Sequence, residues 1–307
     1  MRLGFALPQF GALGVPEAIV TVAKSAEDLG FDSLWVADRI LWPVKPRVPY
    51  PTVDGALPLI YKRPLDPLEM LTFAAAHTRR VALGTSVINL PWYNPVLLAR
   101  RLSTLDVLSA GRLRVGLGIG WSPDEYEAAG VPWHERGKRA DEFLQLLKQI
   151  WANDPVEFRG KYYRVPKSFI GPKPIQKPHP PIYMAAYTPA AMRRVATEAQ
   201  GWFPAGIPLN EIGPMFESIK AMAGEAGRNP AALELIIRAN VKISDAPIQK
   251  DRVDFSGSLE QIAEDLATAR RLGAAEILID VQFSPGIDSA EAMVARMEQF
   301  REIARRS

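Results

Sequence analysis

Leu29-Gly30-Phe31-Asp32-Ser33-Leu34 carries the end of one amphipathic segment directly into the start of an apolar, strand-like run. The same handover returns at Ser109-Ala110-Gly111-Arg112-Leu113 and at Leu272-Gly273-Ala274-Ala275-Glu276-Ile277. In each, a glycine follows the last helical turn, where a left-handed backbone closes the helix and a missing Cβ removes the steric cost. A helix that ends and a strand that begins within a few residues make the short αβ turn of a repeated βα unit.

Outward from these three turns, the alternation runs the length of the chain. Strand-like runs occupy residues 3–7, 33–37, 81–88, 113–118, 182–186, 202–204, 234–243 and 276–281, separated by longer segments with helical spacing. Parallel strands need crossovers of this length, and eight of them close a barrel. The expected fold is therefore α/β, a (β/α)8 TIM barrel with residues 1–307 as a single domain. Helix starts are legible at Asp66-Pro67 with Glu69, Asn94-Pro95, Thr188-Pro189, and Ser258 with Gln261, where a capping side chain precedes a good first helical residue.

Two proline-rich stretches, 41–65 and 153–181, interrupt the rhythm. The first carries Trp42, Tyr50 and Tyr61; the second contains Glu157-Phe158-Arg159-Gly160-Lys161-Tyr162-Tyr163, which reads as a small hairpin. Long loops in a compact domain tend to be lids or binding loops, so both are expected as insertions at the C-terminal face.

Composition narrows the chemistry. With 48% hydrophobic and 23% charged residues in 307, the chain has the makeup of a soluble globular protein with a large core. Cysteine is absent, which excludes disulfides, thiolate metal sites and a cysteine nucleophile. The three histidines, His77, His134 and His179, form no metal-binding pair, so no metal is expected. Met1-Arg2-Leu3-Gly4-Phe5 enters a strand directly and no apolar run is long enough to span a membrane, so a cytoplasmic protein without a membrane partner is expected. The 37 basic residues are interleaved with 34 acidic ones, a pattern that argues for a mixed solvated surface and against nucleic acid.

In a barrel the C-terminal ends of the strands set the functional face. Those ends carry Ala37-Asp38-Arg39 with Trp42, Ser86-Val87-Ile88-Asn89, Gly118-Ile119-Gly120-Trp121 and Ala186-Tyr187-Thr188, from four neighbouring strands. Gly116-Leu117-Gly118-Ile119-Gly120 has GxGxG spacing, and Ser122-Pro123 interrupts a helix start there, so a dinucleotide fold is not expected. Gly116 reads as close strand packing; Gly118 and Gly120 suit either that or backbone approach to a flat ligand. Thr188-Pro189 offers unpaired amides and a helix dipole, which suit a phosphate, and equally reads as a plain N-cap. Lys242, near the end of the seventh strand, leaves a Schiff-base barrel lyase open as a remote alternative.

Leu83-Gly84-Thr85-Ser86-Val87, Tyr93-Asn94-Pro95-Val96-Leu97-Leu98-Ala99 and Thr104-Leu105-Asp106-Val107-Leu108-Ser109-Ala110-Gly111-Arg112 together resemble the luciferase-like monooxygenase superfamily. The resemblance continues through Gly118-Ile119-Gly120-Trp121, Glu135-Arg136-Gly137, the stretch from Pro172 to Ile182, and Phe255-Ser256-Gly257-Ser258-Leu259-Glu260-Gln261. Within the superfamily the chain looks most like enzymes using coenzyme F420, with the FMN branch sharing the scaffold. The resemblance implies a cofactor ring in the barrel mouth, supported by a bulge in strand three with a non-prolyl cis peptide at Ser86-Val87.

By their place at the strand ends, Ser86, Val87, Asn89, Gly118, Ile119, Gly120, Trp121, Ala186, Tyr187 and Thr188 are the expected cofactor-binding residues of such a mouth, and Asp38, Arg39 and Trp42 the expected catalytic ones. The implied reaction is hydride transfer between F420 and a small organic substrate, by a homodimer. The FMN alternative is a monooxygenase fed by a separate reductase; a non-catalytic flavin or deazaflavin carrier is a further alternative. Two departures stand out: many relatives have Asp-His where this chain has Asp38-Arg39, and Gly-Gly where it has Ala185-Ala186. A guanidinium stays charged and is no general base, so Arg39 is expected to act electrostatically, oriented by Asp38, in a substrate-reducing enzyme. Proton delivery then falls to Tyr187, His134 or water.

Overall fold

The computed structural model describes residues 1–51 and 55–306; residues 52–54 of the 41–65 interruption, and Ser307, lie outside the described residues. Eight parallel strands form the barrel: β1 Arg2–Ala6, β2 Ser33–Val36, β3 Ala82–Thr85, β4 Leu113–Gly118, β5 Ile182–Met184, β6 Gly201–Trp202, β7 Glu234–Asn240 and β8 Glu276–Asp280. Each pairs with its sequence neighbours, and β1 pairs with β8 through Leu3 and Ile277, which closes the cylinder. A helix follows every strand: α1 Pro16–Asp28, α2 Pro67–His77, α3 Pro95–Leu108, α4 Arg136–Ala152, α5 Pro189–Glu198, α6 Leu209–Glu225, α7 Leu259–Arg271 and α8 Ala290–Arg306. The expected caps are present: Asp66, Asn94 and Thr188 accept from first-turn amides, and Ser258 with Gln261 makes a capping box. No helix among the described residues is long and apolar enough to cross a membrane.

The alternation of strand side chains sorts the core into two layers. Outward-facing Leu34, Leu83, Val115 and Ile277 pack with Val22, Leu71, Leu98 and Leu147 of the helices. Inward-facing Ala6, Trp35, Tyr183, Ile236 and Leu278, together with Phe203, fill the cylinder. Trp35 is the largest of these and stands edge-on to Phe203 at 4.9 Å. Below it the barrel is plugged by charge: Trp35 Nε1 donates to Glu276 at 3.0 Å, Glu276 pairs with Arg2 and Arg114, and Tyr183 donates to Glu234 at 2.6 Å. The amino-terminal end is thus sealed, and any ligand reaches the interior from the other end.

Strand three breaks at Ser86-Val87, whose peptide is cis, and resumes as Ile88–Asn89 against Leu117 and Gly118. Thr85 bridges the break, its hydroxyl donating to the Gly116 carbonyl at 2.7 Å and accepting the Gly116 amide at 2.9 Å. A Cβ on Gly116 would lie 1.8 Å from the Thr85 carbonyl oxygen, so this glycine serves close strand packing, as expected.

Three expectations are corrected. Ser122-Pro123 does not interrupt a helix start: Ser122 caps the short helix Pro123–Ala128, with proline in the first-turn position it suits. The strand expected over 234–243 ends at Asn240, and Lys242–Ile243 pairs instead with Ser256–Gly257, leaving Lys242 exposed outside the barrel. The 153–181 stretch joins the end of α4 to the start of β5, so its root lies at the amino-terminal face. Gln176 donates there to the Leu113 carbonyl, and the buried Asp106 carboxylate accepts from the amides of Ile175 and Gln176. Its hairpin, Val156–Arg159 with Arg164–Ser168, is as expected and lies along the outside of α4, where Glu142 takes the amides of Lys161, Tyr162 and Tyr163.

Candidate active site

Asp38 follows β2 and is almost wholly buried. Its carboxylate accepts the Asn89 amide at 3.0 Å and the Tyr93 hydroxyl at 3.0 Å, which ties the end of strand two to the far side of the strand-three break. Burial pushes its pKa up to about 7, against the pull of those two donors. Asp38 therefore exchanges a proton in the neutral range, a property ordinary for histidine and not for a carboxylate.

Arg39 has a separate partner, and Asp38 does not orient it. Its partner is Glu125 of the short helix after β4: Nη1 lies 3.1 Å from Oε2, with the arginine side chain 7% exposed and the glutamate fully buried. The second Glu125 oxygen accepts the Ile40 amide at 3.2 Å. Around the guanidinium stand the rings of Tyr61, Trp121 and Tyr50, with centroids at 4.9, 5.1 and 5.9 Å. Tyr50 and Tyr61 belong to the 41–65 segment, and their hydroxyls meet at 3.1 Å. Through these two rings the described part of that segment packs against Arg39. Burial of Glu125 raises its pKa, and Arg39 beside it opposes the shift.

Trp42, expected among the catalytic residues, is engaged within the lid: its Nε1 donates to the Pro58 carbonyl at 3.2 Å and Lys62 lies over its ring. Of the expected cofactor-binding residues, Val87, Asn89, Gly118 and Gly120 come together on the wall formed by strands three and four, while Ser86 bonds Arg238 and Trp121 stands beside Arg39 and Tyr50. A Cβ on Gly118 would lie 2.6 Å from a Val87 methyl, and Gly120 has φ of +68° beside Trp92, so both glycines also answer to packing. Ile119 packs outward into the helical layer, and Ala186 is buried there with its carbonyl accepting Trp202 Nε1; neither side chain joins the wall. Tyr187 and Thr188 are exposed at the start of α5, where Thr188 accepts the Ala191 amide at 3.3 Å and Tyr187 donates to the Ala205 carbonyl. His134 is exposed on a surface pocket with Tyr126 and Trp133.

Several residues of the site went unread in the sequence. Arg238, at the mouth end of β7, donates to the Ser86 carbonyl at 2.8 Å and hydroxyl at 2.6 Å and pairs with the fully buried Asp280 of β8. Burial opposes its charge, yet Asp280 holds the guanidinium above its ordinary value. Two-residue alternation from the inward-facing Ile236 places Arg238 inside the barrel, and that signal was available. Gln9 binds Ala37 through both side-chain ends and also reaches the Leu65 carbonyl, stitching the lid root to strands one and two. A lone glutamine after a strand carries no such signal. Among the described residues no group of acidic or histidine side chains is arranged for a metal.

The fold is thus a closed parallel barrel with ion-paired side chains at the carboxy-terminal ends of its strands. The chain belongs to the luciferase-like monooxygenase family, whose model matches residues 1–249. It is 32% identical over 280 residues to an uncharacterized protein of Mycobacterium tuberculosis, covering 90% of each chain. An F420-dependent glucose-6-phosphate dehydrogenase of Amycolatopsis mediterranei is 32% identical over 63% of this chain and 54% of its own. An FMNH2-dependent dimethylsulfone monooxygenase of Pseudomonas putida is 35% identical over 50% and 42%. Monooxygenase RslO1 from Streptomyces bottropensis superimposes with a TM-score of 0.81 over 98% of both chains at 23% identity, a likeness of fold.

Proposed function

We propose that the protein is an F420-dependent oxidoreductase that reduces a small organic substrate at the barrel mouth, acting as a homodimer. The observation that carries this reading is the division of labour at the end of strand two. Asp38 holds a proton in the neutral range, and beside it Arg39 supplies a fixed positive charge. Reduction of a polar double bond needs a proton source and a counter-charge, and these two residues are suited to both roles.

When bound, the deazaflavin supplies the hydride at its C5. The residues fit such a group: among the described residues Trp92 Nε1, beside Gly120, is a buried donor without a partner, and an acceptor on the ring edge would take it up. The wall of Val87, Asn89, Gly118 and Gly120 would hold the ring, with Arg238 fixing the Ser86 end of that wall. The exposed start of α5 at Tyr187 and Thr188 would receive the phosphate. Tyr93 and the Asn89 amide hold the Asp38 carboxyl in place, and the lid tyrosines exclude water from Arg39. Exposed Phe73, Leu97 and Leu108 on the neighbouring α2 and α3 offer an apolar face for a second copy.

The second reading, an FMN-dependent monooxygenase served by a separate reductase, is favoured by the likeness to the dimethylsulfone monooxygenase. Oxidation of the reduced cofactor over a panel of compounds, with and without oxygen, separates the two. Substrate-dependent oxidation that persists without oxygen supports hydride transfer, whereas oxidation and product formation in oxygen alone support the second reading.

A further inference from the structure

The Arg39 guanidinium uses only one of its two edges. Nη1 is committed to Glu125, whereas Nε and Nη2, which lie side by side along the opposite edge of the planar group, are buried without a partner among the described residues. Two parallel donors on a rigid plane match the two oxygens of a carboxylate, and buried donors left without an acceptor are unfavourable. Among the described residues, the carboxylates nearest that edge are already engaged. Asp38 is taken by Asn89 and Tyr93, Asp280 by Arg238, and the second Glu125 oxygen by the Ile40 amide. The rings of Tyr50, Tyr61 and Trp121 stand around the guanidinium and present flat apolar surface to it.

We infer that the free edge of Arg39 is a recognition subsite for the carboxylate of the substrate, whose flat or apolar body lies against the lid tyrosines and Trp121. The inference deepens the proposed function, resting on it for the statement that the bound acid is what becomes reduced. Glu125 has a matching part: it fixes the guanidinium plane, so that the incoming carboxylate meets an oriented fork. Lysine at this position would keep the charge and lose the fork.

The test is calorimetric titration of the whole protein with benzoate and with benzamide, its uncharged planar counterpart, first alone and then at saturating cofactor. Benzoate is expected to bind at least about tenfold more tightly than benzamide, and Arg39→Lys to weaken benzoate at least about tenfold with little change for benzamide. Equal affinity for the two probes, or benzoate binding unchanged in Arg39→Lys, would overturn the subsite. So would displacement of benzoate by cofactor, since the edge would then serve the cofactor ring. The benzoate and benzamide comparison needs no variant, so it decides the matter even if Arg39→Lys fails to fold. Cofactor binding to the same samples tests the redox reading separately: benzoate selectivity in a protein that binds neither cofactor supports the subsite and defeats that reading.

Discussion

Arg39 spans from the end of strand two to Glu125 behind strand four, and the 3.1 Å between Nη1 and Oε2 is an ion pair with its carboxylate fully buried. Breaking such a pair from one side leaves the other charge without compensation, which costs about 3–5 kcal/mol. Glu125→Gln keeps an acceptor and should fall near the lower end of that range in urea unfolding. A loss under about 1 kcal/mol would mean that Arg39 is solvated and that the lid does not seal it.

Asp38 gives a pH signature with a definite sign. Its folded pKa of about 7 lies above its ordinary 3.8, so between these values the folded protein holds a proton that the unfolded chain has released. Its contribution to stability is complete below about pH 4 and is lost as pH rises toward 7, by roughly 4 kcal/mol in all at 1.4 per unit. Asp38→Asn cannot titrate, so the stability difference between variant and wild type should change across pH 4 to 7 and level off above it. Parallel profiles would show that Asp38 ionises normally.

Glycine substitutions should rank by what each new Cβ meets. Gly118→Ala sets a methyl 2.6 Å from Val87 and should cost about 1–3 kcal/mol, and Gly116→Ala, aimed at a backbone oxygen, should cost more. Gly137→Ala, in the first turn of α4 with only the far end of Arg194 nearby, should be neutral or stabilise by up to about 1 kcal/mol. Thermal melts of the three variants give the order directly.

Thr188 permits the phosphate site to be tested apart from its capping role. Thr188→Ala loses the bond to the Ala191 amide and should cost about 1 kcal/mol of stability, yet it keeps every backbone donor at the helix start. Thr188→Pro removes one of those donors. The preference for a phosphate-bearing cofactor over its phosphate-free analogue should therefore shrink in Thr188→Pro and survive in Thr188→Ala; an equal preference in both would locate the phosphate elsewhere.

The barrel was legible in the sequence because its signals are local. Glycine closures such as Gly30 and Gly273, and caps such as Asn94 and Ser258, each act within one or two turns, and their repetition implies the closed sheet. The site was legible only in position: Asp38 and Arg39 read as paired neighbours, yet the structure partners them with Tyr93 and Glu125, 55 and 86 residues away. Such pairings depend on how strand ends are arranged around the mouth, which spacing along the chain does not encode. The placement of the 153–181 stretch failed for a related reason. Its composition marks a long loop, and only counting whether it follows a strand or a helix tells which face it serves.

The central claim is that this barrel mouth binds a deazaflavin for hydride transfer. Separate equilibrium titrations of the purified protein with F420 and with FMN, followed by cofactor absorbance and fluorescence, test it most directly. The account predicts saturable binding of F420, weakened by Thr188→Pro, with FMN binding more weakly. Saturation by FMN with no binding of F420 would contradict it.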